Sequence, residues 1–181
     1  MYLSKKGNQM LNFLRTEYPS KAFMPALGVK KSTLHQWGER GFISLGRPGT
    51  GKAVVLIGEE VLYAACLVIL SKAGGSPKFL VRGLRDCVAF FRSGLGDLGF
   101  KEWDASGNTV YAGYTKKMYA VFKFTERSGA IDGEWTLTDN PMEDRKHITE
   151  AFGHKPAPYH QAIYLTELLR ELVLKIDGRK V

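Results

Sequence analysis

The chain has 181 residues, 44% of them apolar and 12% aromatic, enough to bury a core in one domain or two small ones. No apolar run reaches the ~18 residues of a membrane span, the opening MYLSKKGNQM is too polar for a secretory signal, and Cys66 and Cys87 form neither a disulfide framework nor a metal-ligand spacing, so a cytoplasmic protein with reduced thiols is expected. The net charge of +8 is unevenly held: residues 1–96 carry 14 Lys+Arg against 5 Asp+Glu, and residues 97–181 carry 12 against 13. A basic half beside a neutral one is the composition of a module that meets a polyanion.

Residues 8–18 place Met10, Leu11, Phe13, Leu14 and Tyr18 at roughly helical spacing. Tyr18-Pro19-Ser20 breaks that pattern, and Ser20 is positioned to N-cap a second short helix over 21–27. Gly28-Val29 then predicts a tight turn. A polar, basic helix follows over 30–40, with Val29, Leu34 and Trp37 as its apolar positions and Gly41 as its stop. Two short helices around a Gly-Val turn make a helix-turn-helix pattern. The second helix offers Ser32, Thr33, His35, Gln36 and Arg40, side chains of the kind that read base edges or grip phosphate, with Lys30 and Lys31 available for phosphate.

Residues 46–53, GRPGTGKA, match the phosphate loop G-x-x-x-x-G-K-[ST] except at Ala53, which lacks the hydroxyl that binds Mg²⁺. The run after it, Val54-Val55-Leu56-Ile57, reads as a strand rather than the helix such a loop requires. Phe42-Ile43-Ser44 reads as a strand before it. The expectation is therefore a hairpin, a wing whose tip carries Arg47 and Lys52 to phosphate. An NTP-dependent enzyme is the weaker alternative, and neither catalysis nor a cofactor is expected.

Residues 59–73 predict a helix with Val61, Leu62, Ala65, Cys66, Ile69 and Leu70 on one face, led by a solvated Glu59-Glu60 turn. Gly74-Gly75 ends it. Ser76-Pro77 starts the next helix, to about residue 93, with Phe79, Leu80, Leu84, Cys87, Val88 and Phe91 inward and Lys78, Arg82, Arg85 and Arg92 on a basic outer face.

The stretch from Ala22 to Val88 resembles the MerR family of winged-helix regulators. The resemblance rests on Ala26-Leu27-Gly28-Val29, Ser32-Thr33-Leu34-His35, Glu39-Arg40-Gly41-Phe42-Ile43 and Leu70-Ser71-Lys72-Ala73-Gly74-Gly75-Ser76-Pro77, in that order. Three positions depart from the family pattern: His35 stands for an Arg, Gln36-Trp37 for an aromatic pair, and Gly51-Lys52-Ala53 for the wing Gly-Tyr-Arg. The resemblance implies winged-helix binding of double-stranded DNA with the second helix in the major groove. It also implies dimerisation through a C-terminal helix. Similar domains occur in phage excisionases and terminase small subunits, so an architectural DNA-binding role is the alternative to regulation.

Gly94 to Gly99 suggests a boundary between a DNA-binding domain, 1–96, and a small domain, 97–181. In the latter, 108–114 and 118–125 alternate like the two strands of a hairpin, 133–138 reads as a third strand and 147–152 as a short helix. Residues 159–176 predict a long helix with a seam of Ala162, Leu165, Leu169, Leu172 and Ile176, the candidate dimer contact. Trp103, Tyr111, Tyr114, Tyr119, Phe122, Phe124 and Trp135 form an ordinary sheet core or line a pocket for a small-molecule effector. His147, His154 and His160 have no usual metal-ligand spacing. The composite expectation is an α+β protein: a winged helix-turn-helix domain with a helix pair, then a small antiparallel sheet and a C-terminal helix.

Overall fold

A two-stranded ribbon and a central apolar helix organise the N-terminal half. The computed structural model describes residues 5–45, 54–72, 81, 83–96, 100–103, 109–112, 117–127, 130–139 and 160–178. Helix α1 (Lys5–Arg15) buries Met10, Leu11, Phe13 and Leu14, as its spacing predicts. It leads into strand β1 (Glu17–Pro19) and then directly into α2 (Ser20–Leu27). Ser20 does not cap α2. Pro19 occupies the cap position with no side-chain hydrogen bond, and the Ser20 N–H donates to the Val54 carbonyl at 2.8 Å.

The partner of Val54 is where the structure departs most from the expected wing. Strand β2 (Val55–Ile57) pairs antiparallel with β1, with Tyr18 opposite Leu56. It does not pair with 42–44, which is not a strand: Phe42 donates its N–H back to Trp37 at 2.8 Å and Ile43 is buried in the core. Burying an apolar pair at the foot of the preceding helix, α3 (Lys31–Glu39), wins over extending it. Residues 46–53, with Arg47 and Lys52, lie outside the described residues.

Helix α4 (Gly58–Lys72) runs through the middle, packed by α1 and α2 and by α5 (Leu84–Gly96) and α6 (Leu165–Asp177). Val61 to Leu67 are all buried, so nearly its whole circumference is core rather than one face. Ile69, expected inward, is 39% exposed. Gly58 permits the tight approach of α4 to α1: a Cβ there would lie 1.9 Å from the Phe13 carbonyl oxygen. Helix α5 buries Leu84, Cys87, Val88 and Phe91, as predicted. Its described span begins at Leu84, directly after Gly83, whose φ of 79° is a left-handed conformation that a continuous helix does not take; the expected start at Ser76-Pro77 falls outside the described residues. Residues 73–80 and 82 lie outside the described set.

Of the basic outer face expected for this helix, Lys78 and Arg82 lie outside the described residues, and the two described cations are both paired. Arg85 pairs with Glu60, and Arg92 with Glu59 at 2.7 Å, so the acidic first turn of α4 is an ion-paired contact rather than a solvated end.

In the C-terminal half, β3 (Phe100–Trp103) pairs antiparallel with β4 (Thr109–Ala112). The expected hairpin between 108–114 and 118–125 is thus replaced by two separate sheets. The second has the order β6-β5-β7, all antiparallel, from β5 (Tyr119–Arg127), β6 (Ala130–Thr138) and β7 (His160–Tyr164). Met118 and Ala120 are buried, as alternation predicts, but so is Val121 on the opposite face. The ring of Tyr119 stacks on its register partner Tyr164, centroids 4.6 Å apart.

The long helix expected over 159–176 is two elements. Residues His160–Tyr164 are strand β7, and α6 starts at Leu165. Pairing with β5 overrides the helical spacing there, and a reciprocal clamp marks the switch: Leu165 N–H donates to the Met118 carbonyl at 2.9 Å, and Met118 N–H donates to the Thr166 hydroxyl at 3.0 Å. Ala162 of the candidate dimer seam therefore sits on a strand. Leu165, Leu169 and Leu172 are buried in this chain's own core, with Ile176 packed at its edge. They face α1, α2 and α4 across the expected boundary at residue 96, and Tyr18 of β1 donates to Asp177 at 3.2 Å. The architecture is α+β, with one hydrophobic cluster running from Met10 to Val173.

Candidate nucleic-acid interface

The α2–turn–α3 unit is built by local chemistry. α2 ends at Gly28, whose φ of 64° lets the chain reverse. Gly28 N–H donates to the Pro25 carbonyl and Val29 N–H to Met24, each at 3.2 Å, which satisfies the last carbonyls of the helix. Lys30 is extended, and α3 begins one residue later with no side-chain cap. Its first-turn amides are therefore uncapped by side chains. At the far end Gly41 takes φ 70°, as its predicted role as a stop requires.

Leu34 and Trp37 alone among the residues of α3 are fully buried, and they fix which face looks outward. Gly38 sharpens this placement: a Cβ there would come within 2.4 Å of Leu45 Cδ1, so the glycine lets the chain leaving α3 fold back across it. The opposite face carries Lys31, Ser32, His35, Gln36 and Arg40, all exposed, with Lys30 exposed just before and Thr33 half-buried. Among the described residues none of these seven has an ion-pair or side-chain hydrogen-bond partner. Glu39 is the one acid on the helix.

The sequence-derived residues thus divide cleanly. Seven candidate contacts, Lys30, Lys31, Ser32, Thr33, His35, Gln36 and Arg40, come together around one short helix. Arg47 and Lys52 lie outside the described residues. The five seam residues belong to the intramolecular core and strand β7 instead. Comparison with protein-family models finds no match, and comparison with curated proteins finds no relative.

The sequence reading missed the role of Arg85. It reaches from α5 to the foot of α3, donating to the Phe42 carbonyl at 2.9 Å while pairing with Glu60. Its partners are 43 and 25 residues away in sequence, so no local pattern signals them. A cleft of about 400 Å³ opens elsewhere, between α2, α4, β7 and α6, with Val68, Ile69 and Leu168 among its lining residues. It does not include the aromatic set suggested for an effector. Of that set, Tyr119 is stacked on Tyr164 and Trp135 is buried against Gly83. Among the described residues no group of three His, Cys, Asp or Glu is placed to hold a metal ion, and no helix is long and apolar enough to cross a membrane; His147 and His154 lie outside that set.

Burial governs the thiols. Cys66 is pushed well above its ordinary pKa by desolvation, and Cys87 up to about 11 for the same reason, so both are protonated and unreactive at neutral pH.

Proposed function

We propose that the chain binds double-stranded DNA by laying α3 in the major groove, as a helix-turn-helix protein of MerR-like type acting on specific sites. One observation carries this reading: α3 turns two apolar side chains into the core and presents Lys31, Ser32, His35, Gln36 and Arg40 outward, unengaged by other described residues. His35 and Gln36, one turn from the helix start, suit base edges, with Gln able to bond adenine at two points. Lys30, Lys31 and Arg40 flank them and suit phosphate. The excess of 14 basic over 5 acidic residues in the first 96 supports the same reading, and so does the resemblance of residues 22–88 to the MerR family. In this reading Arg47 and Lys52, which lie outside the described residues, add phosphate contacts. Regulation of transcription is the role such a module would serve. Pairing of subunits is not assigned to the seam Leu165, Leu169 and Leu172, which the core already occupies.

Selection of bound sequences from a random duplex library tests the reading. An enriched site is expected, and Gln36→Ala should relax the preference at one base position at a cost of about 1–3 kcal/mol. Salt-dependent binding with no enriched sequence would instead indicate an architectural role.

A further inference from the structure

Helix α3 is nine residues long and holds to the core through Leu34 and Trp37. Two anchors on one short helix resist its lifting away, and Ile43, buried beyond its exit, holds the chain that leaves it, so the tilt of α3 about the line joining Leu34 and Trp37 is set by what that exit is bonded to. A third attachment, off that line, is what would fix its angle. The chain leaving α3 supplies the attachment point. Phe42 closes the helix with its N–H, bonded to the Trp37 carbonyl at 2.8 Å. Its own carbonyl is taken by Arg85 Nη2 at 2.9 Å.

The same guanidinium makes two further contacts. Nη1 pairs with Glu60 Oε1 in the first turn of α4, and Cζ stands 4.5 Å above the ring centroid of Tyr63. One planar group on α5 thus binds the exit of α3 and two residues of α4. Glu60 is half-buried and its second carboxylate oxygen, Oε2, is buried with no hydrogen-bond partner among the described residues, so Arg85 is its one charge-neutralising contact there. Tyr63 stands against the Arg85 guanidinium with its phenol pushed up to about 12 by burial, so it stays protonated and its ring remains a neutral π surface for the cation.

We infer that Arg85 is a positioning residue: by holding the Phe42 carbonyl while anchored on Glu60 and Tyr63, it sets the angle of α3 against the α4–α5 pair. Its effect on recognition rests on the reading of α3 as the DNA-facing helix; the tether itself does not. A guanidinium is required because its separated N–H donors can serve the carbonyl and the carboxylate together while the flat face stacks on the ring. A lysine ammonium keeps the charge opposite Glu60 but is a single point and cannot span both acceptors and the ring. The chemistry also separates two kinds of DNA binding. Phosphate contacts depend on charge and tolerate a small tilt of α3. Base-edge hydrogen bonds depend on angle and do not.

The test uses the full-length chain as Arg85→Lys, with Glu60→Gln/Arg85→Met as a second variant that leaves no buried carboxylate unpaired. Native-state hydrogen exchange at the amides of Arg40, Gly41 and Phe42 is read first. Exchange there should rise roughly tenfold in both variants while amides of α4 stay near wild type. Binding to the selected site should then fall roughly tenfold in Arg85→Lys, while binding to random duplex keeps its affinity and salt slope. Unchanged exchange at residues 40–42 in both variants overturns the tether. Faster exchange with specific binding intact overturns the positioning role. A wild-type protein that binds no DNA overturns the reading of α3 and with it the effect on recognition, while the exchange result still decides the tether.

Discussion

Replacing Leu169 by alanine separates a helix built into the fold from a helix held out for a partner. Leu169 lies at the centre of α6 with none of its surface exposed, facing helices of the N-terminal half. Truncating a fully buried leucine removes its transfer free energy and leaves a cavity, together about 3 kcal/mol with a range of roughly 2–5. For a chain of this size a urea slope of about 2 kcal/mol per molar turns that into a midpoint lowered by roughly 1.5 M. The destabilisation should also be shared. The Met10-to-Val173 cluster joins both halves, so hydrogen exchange at Cys66 in α4 and Ala120 in β5 should accelerate together. Leu174 on the same helix is 47% exposed, and its alanine variant should stay within about 0.5 kcal/mol of wild type. A Leu169→Ala protein with wild-type stability and a halved particle mass in solution would refute this placement and restore the dimer seam. Acceleration confined to Ala120 would refute the shared core.

Gly58→Ala places a methyl 1.9 Å from the Phe13 carbonyl oxygen, a backbone atom that cannot rotate away, so α1 and α4 must separate. A destabilisation of about 2–3 kcal/mol is expected in thermal melting, and a melting temperature within a degree or two of wild type would contradict the close approach. Alkaline pH should unfold the chain. The Cys87 thiol is held up at about 11 and the Tyr63 phenol at about 12 by burial, so the folded state keeps protons that the unfolded chain gives up near 9 and 10. Stability is then full below about pH 8.5 and falls as pH rises through 9 to 11, by up to ~1.4 kcal/mol per pH unit for each group. A urea midpoint constant from pH 7.5 to 10.5 would show that these groups ionise freely in the fold.

What could be read in the residues followed from how local the cause was. The helices α1 and α3, the inward set of α5, and the turns at Gly28 and Gly41 were legible because spacing and left-handed glycines act within a few residues. The exposed face of α3 was legible for the same reason. Strand β1 was not: it is three residues long, contains Pro19, and exists because Val55–Ile57 arrives from 38 residues downstream to pair with it. The wrong partner for β2 followed from assigning the nearest apolar stretch, 42–44, which instead plugs the core. Strand β7 hid inside a spacing of 3 and 4 that suits a helix, and only its ladder with β5 explains its extension. The ion pairs of Arg85 and Arg92 were invisible because a charge run shows sign but not partner; two of the cations expected to face a polyanion are occupied by Glu60 and Glu59.

The central claim, that the outer face of α3 meets DNA, is tested most directly by fluorescence anisotropy on random-sequence duplex across a salt series, comparing the wild type with Lys30→Ala/Lys31→Ala/Arg40→Ala. All three side chains are exposed, so the fold should survive the change. The account predicts wild-type binding that falls steeply with salt, and in the triple variant a weaker affinity with a log–log slope shallower by up to ~0.9 for each phosphate that is no longer neutralised. No wild-type binding at low salt, or a triple variant with wild-type affinity and slope, would contradict it.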